Sequence, residues 1–109
     1  MKRLRISDLR PSESHLMPDL FGGRGVDHGG IHVFQPGEIA HPEPIHIHDS
    51  EEVFVILQGQ GIIPIDGVEH AVRTGDVVIV DPGEDHHTRS SMDDPLVTAW
   101  YMVAKPKQA

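Results

Sequence analysis

Four side chains of this sequence, His46, His48, Glu52 and His86, are of the types that ligate a divalent transition metal. In an extended segment, residues two apart project from one face. His46 and His48 therefore point the same way, with Ile47 turned to the other side. Glu52 cannot simply continue that strand, because four extended residues would carry it roughly 13 Å away. A reversal at Asp49-Ser50 brings it back across from the histidines on the neighbouring strand. His86 supplies the fourth group if the turn at Asp81-Pro82-Gly83 lies beside the first two strands. Three neutral imidazoles and one carboxylate leave one or two positions of an octahedron for water or substrate, the open arrangement that catalytic metal sites need. The chain has no cysteine, so disulfides, thiolate zinc sites and iron–sulfur clusters are excluded. The set suits one Mn²⁺, Fe²⁺, Ni²⁺, Co²⁺ or Zn²⁺ per chain. Manganese or iron is favoured, because carboxylate plus imidazole in an expanded shell fits them and zinc more often settles for four ligands.

Positioning these groups calls for short strands and tight turns, and the sequence reads that way. Strand-type runs are Ile31 to Phe34, Ile45 to His48, Val53 to Leu57, Ile62 to Ile65, Val68 to Val72, Val77 to Val80 and Leu96 to Val103. Turn residues separate them: Pro36-Gly37, Gly59-Gln60-Gly61, Asp66-Gly67, Thr74-Gly75-Asp76 and Asp81-Pro82-Gly83. Asp66-Gly67 is the clearest local signal, since a two-residue type I′ hairpin needs positive φ at both positions. Pro64 places its strand at an edge or a bulge. The spacing argues for an all-β sandwich or barrel. Residues 1–30 are irregular, with Pro11 and Pro18 against helix and Gly22 to Gly30 reading as linker. They are expected to form an N-terminal loop arm that docks on a dimer partner, ahead of a barrel over 31–109.

A chain of 109 residues has room for one domain, so any chemistry happens inside one fold. The formal charge of −8 disfavours nucleic acid and anionic membranes as partners. No apolar run reaches the length of a membrane span, and the basic start Met1 to Arg5 leads into no apolar segment. The expected location is cytoplasmic.

The metal-type residues also resemble the motifs of the cupins, small jelly-roll β-barrels. The first cupin motif, G-x5-H-x-H-x3,4-E-x6-G, is matched by His46, His48, Glu52 and Gly59, with Gly37 farther upstream than the pattern's leading glycine. The second, G-x5-P-x-G-x2-H-x3-N, is matched by Gly75, Gly83 and His86, with Asp81 at the proline position and Ser90 at the asparagine position. The resemblance covers about Ile31 to Val103 and implies a single-domain jelly-roll barrel. The motif spacings favour Glu52 over Glu51 and His86 over His87 as ligands. They do not imply a reaction, because cupins include dioxygenases, decarboxylases, isomerases, lyases and binding modules.

Of the remaining histidines, His15, His28, His32, His41 and His70 read as surface residues. His41 is also a candidate proton carrier at the pocket rim, because its loop enters the site. Phe34, Phe54, Trp100 and Tyr101 read as core, with at least one lining the pocket mouth. Two functions follow. One is an enzyme acting on a small oxygen-rich metabolite that chelates the metal, of isomerase, lyase or dioxygenase type, with His41, Glu43 and Tyr101 as candidate general bases by position. The other is a non-catalytic module that binds a small ligand or uses the metal structurally. A small barrel with an exposed edge is expected to form a homodimer.

Overall fold

The structure is a computed structural model that describes residues 1–13 and 20–106. Among the described residues nine strands are formed: β1 (Lys2–Arg5), β2 (Val26–Val33), β3 (Ile39–Ala40), β4 (Glu52–Gln58), β5 (Gln60–Ile65), β6 (Val68–Arg73), β7 (Asp76–Val80), β8 (Thr88–Ser90) and β9 (Val97–Val103). Two single 3₁₀ turns, Ile6–Asp8 and Pro11–Glu13, follow β1. The strands make two antiparallel sheets, ordered β1-β7-β4-β9-β2 and β3-β8-β5-β6. This is the all-β jelly-roll barrel that the motifs implied.

Strand alternation decides what each sheet face does. On β4, Phe54 and Ile56 turn inward to meet Ile63 and Ile65 of β5, Val72 of β6, Val78 and Val80 of β7, and Leu96, closing one core between the sheets. Val53, on the other face of β4, joins Val77, Ile79, Val103 and Phe21 in a second core on the outside of the five-stranded sheet. Covered on both faces, all five residues of β7 are buried, so its sequence Asp76-Val77-Val78-Ile79-Val80 reads as a continuous apolar run behind one aspartate.

Several expectations need correction. The irregular reading of residues 1–30 misses β1, which pairs with β7 from Lys2↔Ile79 to Arg5↔Asp76, and the first half of β2, which begins at Val26. Alternation was blind to β1 because its sequence, KRLR, is almost all charged. It is held instead by Arg3 and Arg5, which both reach the buried Asp76 carboxylate. His15 and Pro18 lie outside the described residues. Ile45 to His48 is extended but is not a sheet strand. Pro64 sits neither at an edge nor at a bulge, since β5 is flanked by β6 and β8. Pro64 pairs with Glu69 of β6, while on its other side β5 is unladdered between Ile62↔Arg89 and an isolated bridge at Ile65↔His86. Its missing N–H therefore faces a gap in the ladder, where its carbonyl accepts the His87 N–H at 3.2 Å.

The turns follow their sequence signals. Asp66 and Gly67 have φ of 48° and 80°, as a type I′ hairpin requires. Gly59 has φ of 83°, and a Cβ there would lie 2.0 Å from the Pro95 carbonyl oxygen, so no side chain fits.

Candidate metal centre

Glu52 opens β4, and alternation with Phe54 and Ile56 turns its carboxylate into the space between the sheets, where only 5% of the residue is exposed. Glu51, one residue earlier, faces the other way and pairs with Arg24. His46 and His48 precede the bend at Asp49-Ser50 on a segment zipped to the chain around His86. The Gly83 N–H donates to the His48 carbonyl at 3.0 Å, and the His86 N–H to the His46 carbonyl at 3.1 Å. The expected alternation thus holds without a sheet ladder: Ile45 and Ile47 are exposed, while His46 and His48 turn inward. Asp85 locks this segment further. Its Oδ1 accepts the His46 backbone N–H at 2.7 Å, and its own N–H is held by Asp66 Oδ1 at 2.8 Å, so the Asp66-Gly67 hairpin tip braces the site.

The structure brings all four sequence candidates together. One potential ligand atom from each of His46, His48, Glu52 and His86 lies within 4.8 Å of every other. Glu52 Oε1 is 2.9 Å from His86 Nε2 and 3.1 Å from His48 Nε2. His86 is 1% exposed, and its Nδ1 donates to the Glu84 carbonyl at 3.1 Å, so Nε2 is the nitrogen that faces the cluster. His46 Nδ1 donates to Glu43 Oε1 at 2.8 Å. Its Nε2 is buried and has no hydrogen-bond partner among the described residues. An orphaned imidazole nitrogen aimed at a buried carboxylate and two more imidazoles is what a bound cation would satisfy. The residues present fit a divalent metal, with the Glu43 and Glu84 contacts fixing the ring tautomers as outer partners of ligating histidines do.

The electrostatics are mixed, as expected where burial and charge compete. Burial pulls His86 towards the neutral form, but the Glu52 carboxylate and the Glu84 carbonyl outweigh it and the proton affinity is net raised. At His48 burial dominates and the proton affinity is lowered, which favours the ligating neutral form. His41 is lowered too, first by burial and then by its neighbour His46. Its ring stacks on that of His46, 3.5 Å between centroids and 9° from parallel, on a backbone with φ of 58°. His41, Glu43 and His46 also form a looser, more exposed group of possible ligands that shares His46.

A cavity of about 260 Å³ opens onto the cluster at His48 and Glu52. Phe34, Phe54, Trp100 and Met102 give it an apolar wall, and the buried Thr88 and Thr98 add hydroxyls. Of the residues read as core, Phe34, Phe54 and Trp100 line this space. Tyr101 is on the opposite face of β9, against the outer core, and so is removed as a candidate base. His87 turns away to the His41 carbonyl and Asp85. Sequence reasoning missed Asp85, although it adjoins His86. It also missed His32, which it assigned to the surface and which lines the cavity with its Nε2 2.8 Å from Glu38.

Residues 30–103 match the family model described as "Cupin domain". A dimethylsulfoniopropionate lyase, DddW, from Ruegeria pomeroyi is 41% identical over 58 residues, which is 53% of this chain. The match spans about a third of that relative's length, 36%. Among solved structures, a cupin protein from Bacteroides fragilis superposes with a TM-score of 0.63 at 26% identity, covering 74% of this chain and 68% of that one. A predicted oxalate decarboxylase from Thermotoga maritima gives a TM-score of 0.61 at 21% identity, over 81% of this chain and 74% of that one, a likeness of fold alone.

Proposed function

We propose that this chain, which belongs to the cupin family, holds one divalent metal ion through His46, His48, Glu52 and His86 and is a lyase-type enzyme for a small carboxylate-bearing metabolite. The observation that carries the reading is the partnerless, buried Nε2 of His46 facing the Glu52 carboxylate and two further imidazoles at the end of a cavity. A metal bound there would act as a Lewis acid for the oxygens of a chelating substrate, and carboxylate with imidazole in an expanded shell suits manganese or iron. The protein's own part is positional. Asp85, Glu43 and Glu84 hold the ligand histidines, and the wall of Phe34, Phe54 and Trp100 excludes water from the far end of the substrate.

The likeness to a dimethylsulfoniopropionate lyase supports carboxylate chemistry and elimination in preference to isomerisation or oxidation. Dimethylsulfoniopropionate has a carboxylate at one end to reach the metal and an apolar-skinned sulfonium at the other to meet an aromatic wall. The test is conversion of this compound by metal-loaded protein. Release of dimethyl sulfide that is abolished by chelation and restored by manganese or iron is expected. Full metal loading without turnover would favour a binding module.

We place the protein in the cytoplasm and pair it as a homodimer. The edges of the five-stranded sheet are β1 and β2, and on β2 Ile31 and Val33 are 66% and 64% exposed. Sedimentation at micromolar concentration should give twice the chain mass, and a monomer there would remove the dimer. Among the described residues, no helix is long and apolar enough to cross a membrane.

A further inference from the structure

We propose that His32, oriented by Glu38, is the general base of the cavity and accepts the proton from the carbon next to the substrate carboxylate. The proposal rests on the catalytic reading above and supplies a group that reading lacks. A histidine whose lone pair is given to a metal cannot also take a proton from substrate, so the three ligating histidines are unavailable for this role, and the Glu52 carboxylate is engaged with His48 and His86. Glu43 is engaged with His46, His41 lies flat on a ligand ring, and Tyr101 faces the outer core.

His32 meets the requirements of a base in place, partner and plane. On β2 it shares the inward face with His28 and Gly30, in phase with Phe34 just past the strand, and it lines the same cavity as His48 and Glu52. Its ring is stacked on Phe34, with centroids 3.9 Å apart and planes within 21°, which fixes the plane in which its nitrogens lie. Its Nε2 is 2.8 Å from Glu38 Oε2, while Glu38 Oε1 accepts the Gln35 backbone N–H at 2.9 Å. That N–H, with a further contribution from His32, outweighs the opposing effect of burial and keeps the Glu38 carboxyl below its ordinary range and so ionised. An ionised carboxylate only accepts hydrogen bonds, so Nε2 carries the ring proton and Nδ1 is left with the lone pair. Among the described residues Nδ1 has no hydrogen-bond partner. A carboxylate behind a histidine that faces the reaction space is the arrangement that orients a base and stabilises the imidazolium it becomes.

In the elimination, the Nδ1 lone pair forms a bond to the hydrogen on the carbon next to the carboxylate. The C–H electron pair becomes the new carbon–carbon double bond, and the bond from the next carbon to the leaving group breaks with its pair going to that group. For dimethylsulfoniopropionate the products are acrylate and neutral dimethyl sulfide. The proton resides on His32 opposite Glu38 until it passes to water. In this scheme His32 touches substrate, and Glu38 is a positioning residue.

Two variants test this in metal-loaded protein, with dimethylsulfoniopropionate as the probe and the fluorescence of Trp100, the one tryptophan of the chain, as the report of binding. His32→Gln is expected to lower kcat by about 10²- to 10⁴-fold with metal per chain and probe dissociation constant unchanged. A His32→Gln protein that turns over at the wild-type rate overturns the proposal. With its oxygen held by the Gln35 N–H, the amide of Glu38→Gln donates to Nε2 and drives the ring proton to Nδ1, which then has no lone pair to accept a proton. Nitrogen-15 spectra of the zinc-loaded protein read that tautomer directly: Nε2–H in the wild type and Nδ1–H in Glu38→Gln are expected. A neutral wild-type His32 with its proton on Nδ1 overturns the proposal whatever the activity. Wild-type protein that holds metal and does not convert the probe contradicts the lyase reading instead, and His32 then stands or falls on the tautomer, which needs no substrate.

Discussion

At His46 the two ring nitrogens have separate duties, and the account of the site turns on that division. Nδ1 is committed to Glu43, so Nε2 keeps a lone pair for a cation. Removing that partner in Glu43→Ala frees the ring to rotate and to change tautomer. Metal affinity is expected to fall about 10- to 100-fold in a competition titration against a chelator, with the fold intact because Glu43 is on an exposed loop. Unchanged affinity would mean that the ring is held by stacking on His41 alone. Among these residues the ligand identities were legible in the sequence, because they depend on spacing: one residue between the histidines, a bend, and a return. The outer partners were not. Asp85 and Glu38 act through a backbone N–H and an imidazole 39 and six positions away, and no local pattern announces such a pairing.

Strands and turns put those residues in reach, and their weak points can be tested separately from the metal. A Cβ at Gly59 would collide with the Pro95 carbonyl, and the backbone there has a φ that side chains resist. Gly59→Ala should cost about 1 to 3 kcal/mol in denaturant unfolding, while the same change at exposed Gly25, where nothing lies within 4 Å, should cost less. Docking of β1 depends on Asp76, buried on β7 and shared by Arg3 and Arg5. Burial raises its proton affinity, but the Arg73 backbone N–H and the two guanidinium groups outweigh it, so the carboxyl is held below its ordinary value. A depressed folded pKa means stability that is fully present above the unfolded value of about 3.9 and is lost as pH falls through the folded one. Asp76→Asn should therefore lower the melting temperature at pH 7 and flatten the loss of stability between pH 5 and 2. Equal acid sensitivity in the variant and the wild type would remove this role. The hairpin and β4 to β7 were readable from short apolar runs bounded by turn residues. β1 was not, since three of its four residues are basic and its partner is 71 to 77 positions away.

For the whole molecule, the metal links folding to pH, and the contribution of His86 should change sign between the two forms of the protein. Without metal, the raised proton affinity of His86 contributes stability that is present below its unfolded value of about 6.5 and is lost as pH rises through the folded one. With metal, protons compete for the same nitrogens, so the stabilisation by the ion is present above that range and fades as pH falls. The gap in melting temperature between loaded and chelated protein should accordingly narrow from pH 8 to pH 5. A gap independent of pH would argue against imidazole ligands. Fold class was evident from the sequence because strand periodicity and the two cupin motifs agree. The cavity was not, because it is made by inward residues of β2, β4, β8 and β9 whose meeting is a property of the closed barrel.

The most direct test is elemental mass spectrometry of untagged protein beside a His46→Ala/His86→Ala double variant, with circular dichroism to confirm that the variant is folded. The account predicts one divalent metal ion per chain, manganese or iron, in the wild type and none in the folded variant. Metal-free wild-type protein that cannot be loaded, or equal metal in both, would contradict it.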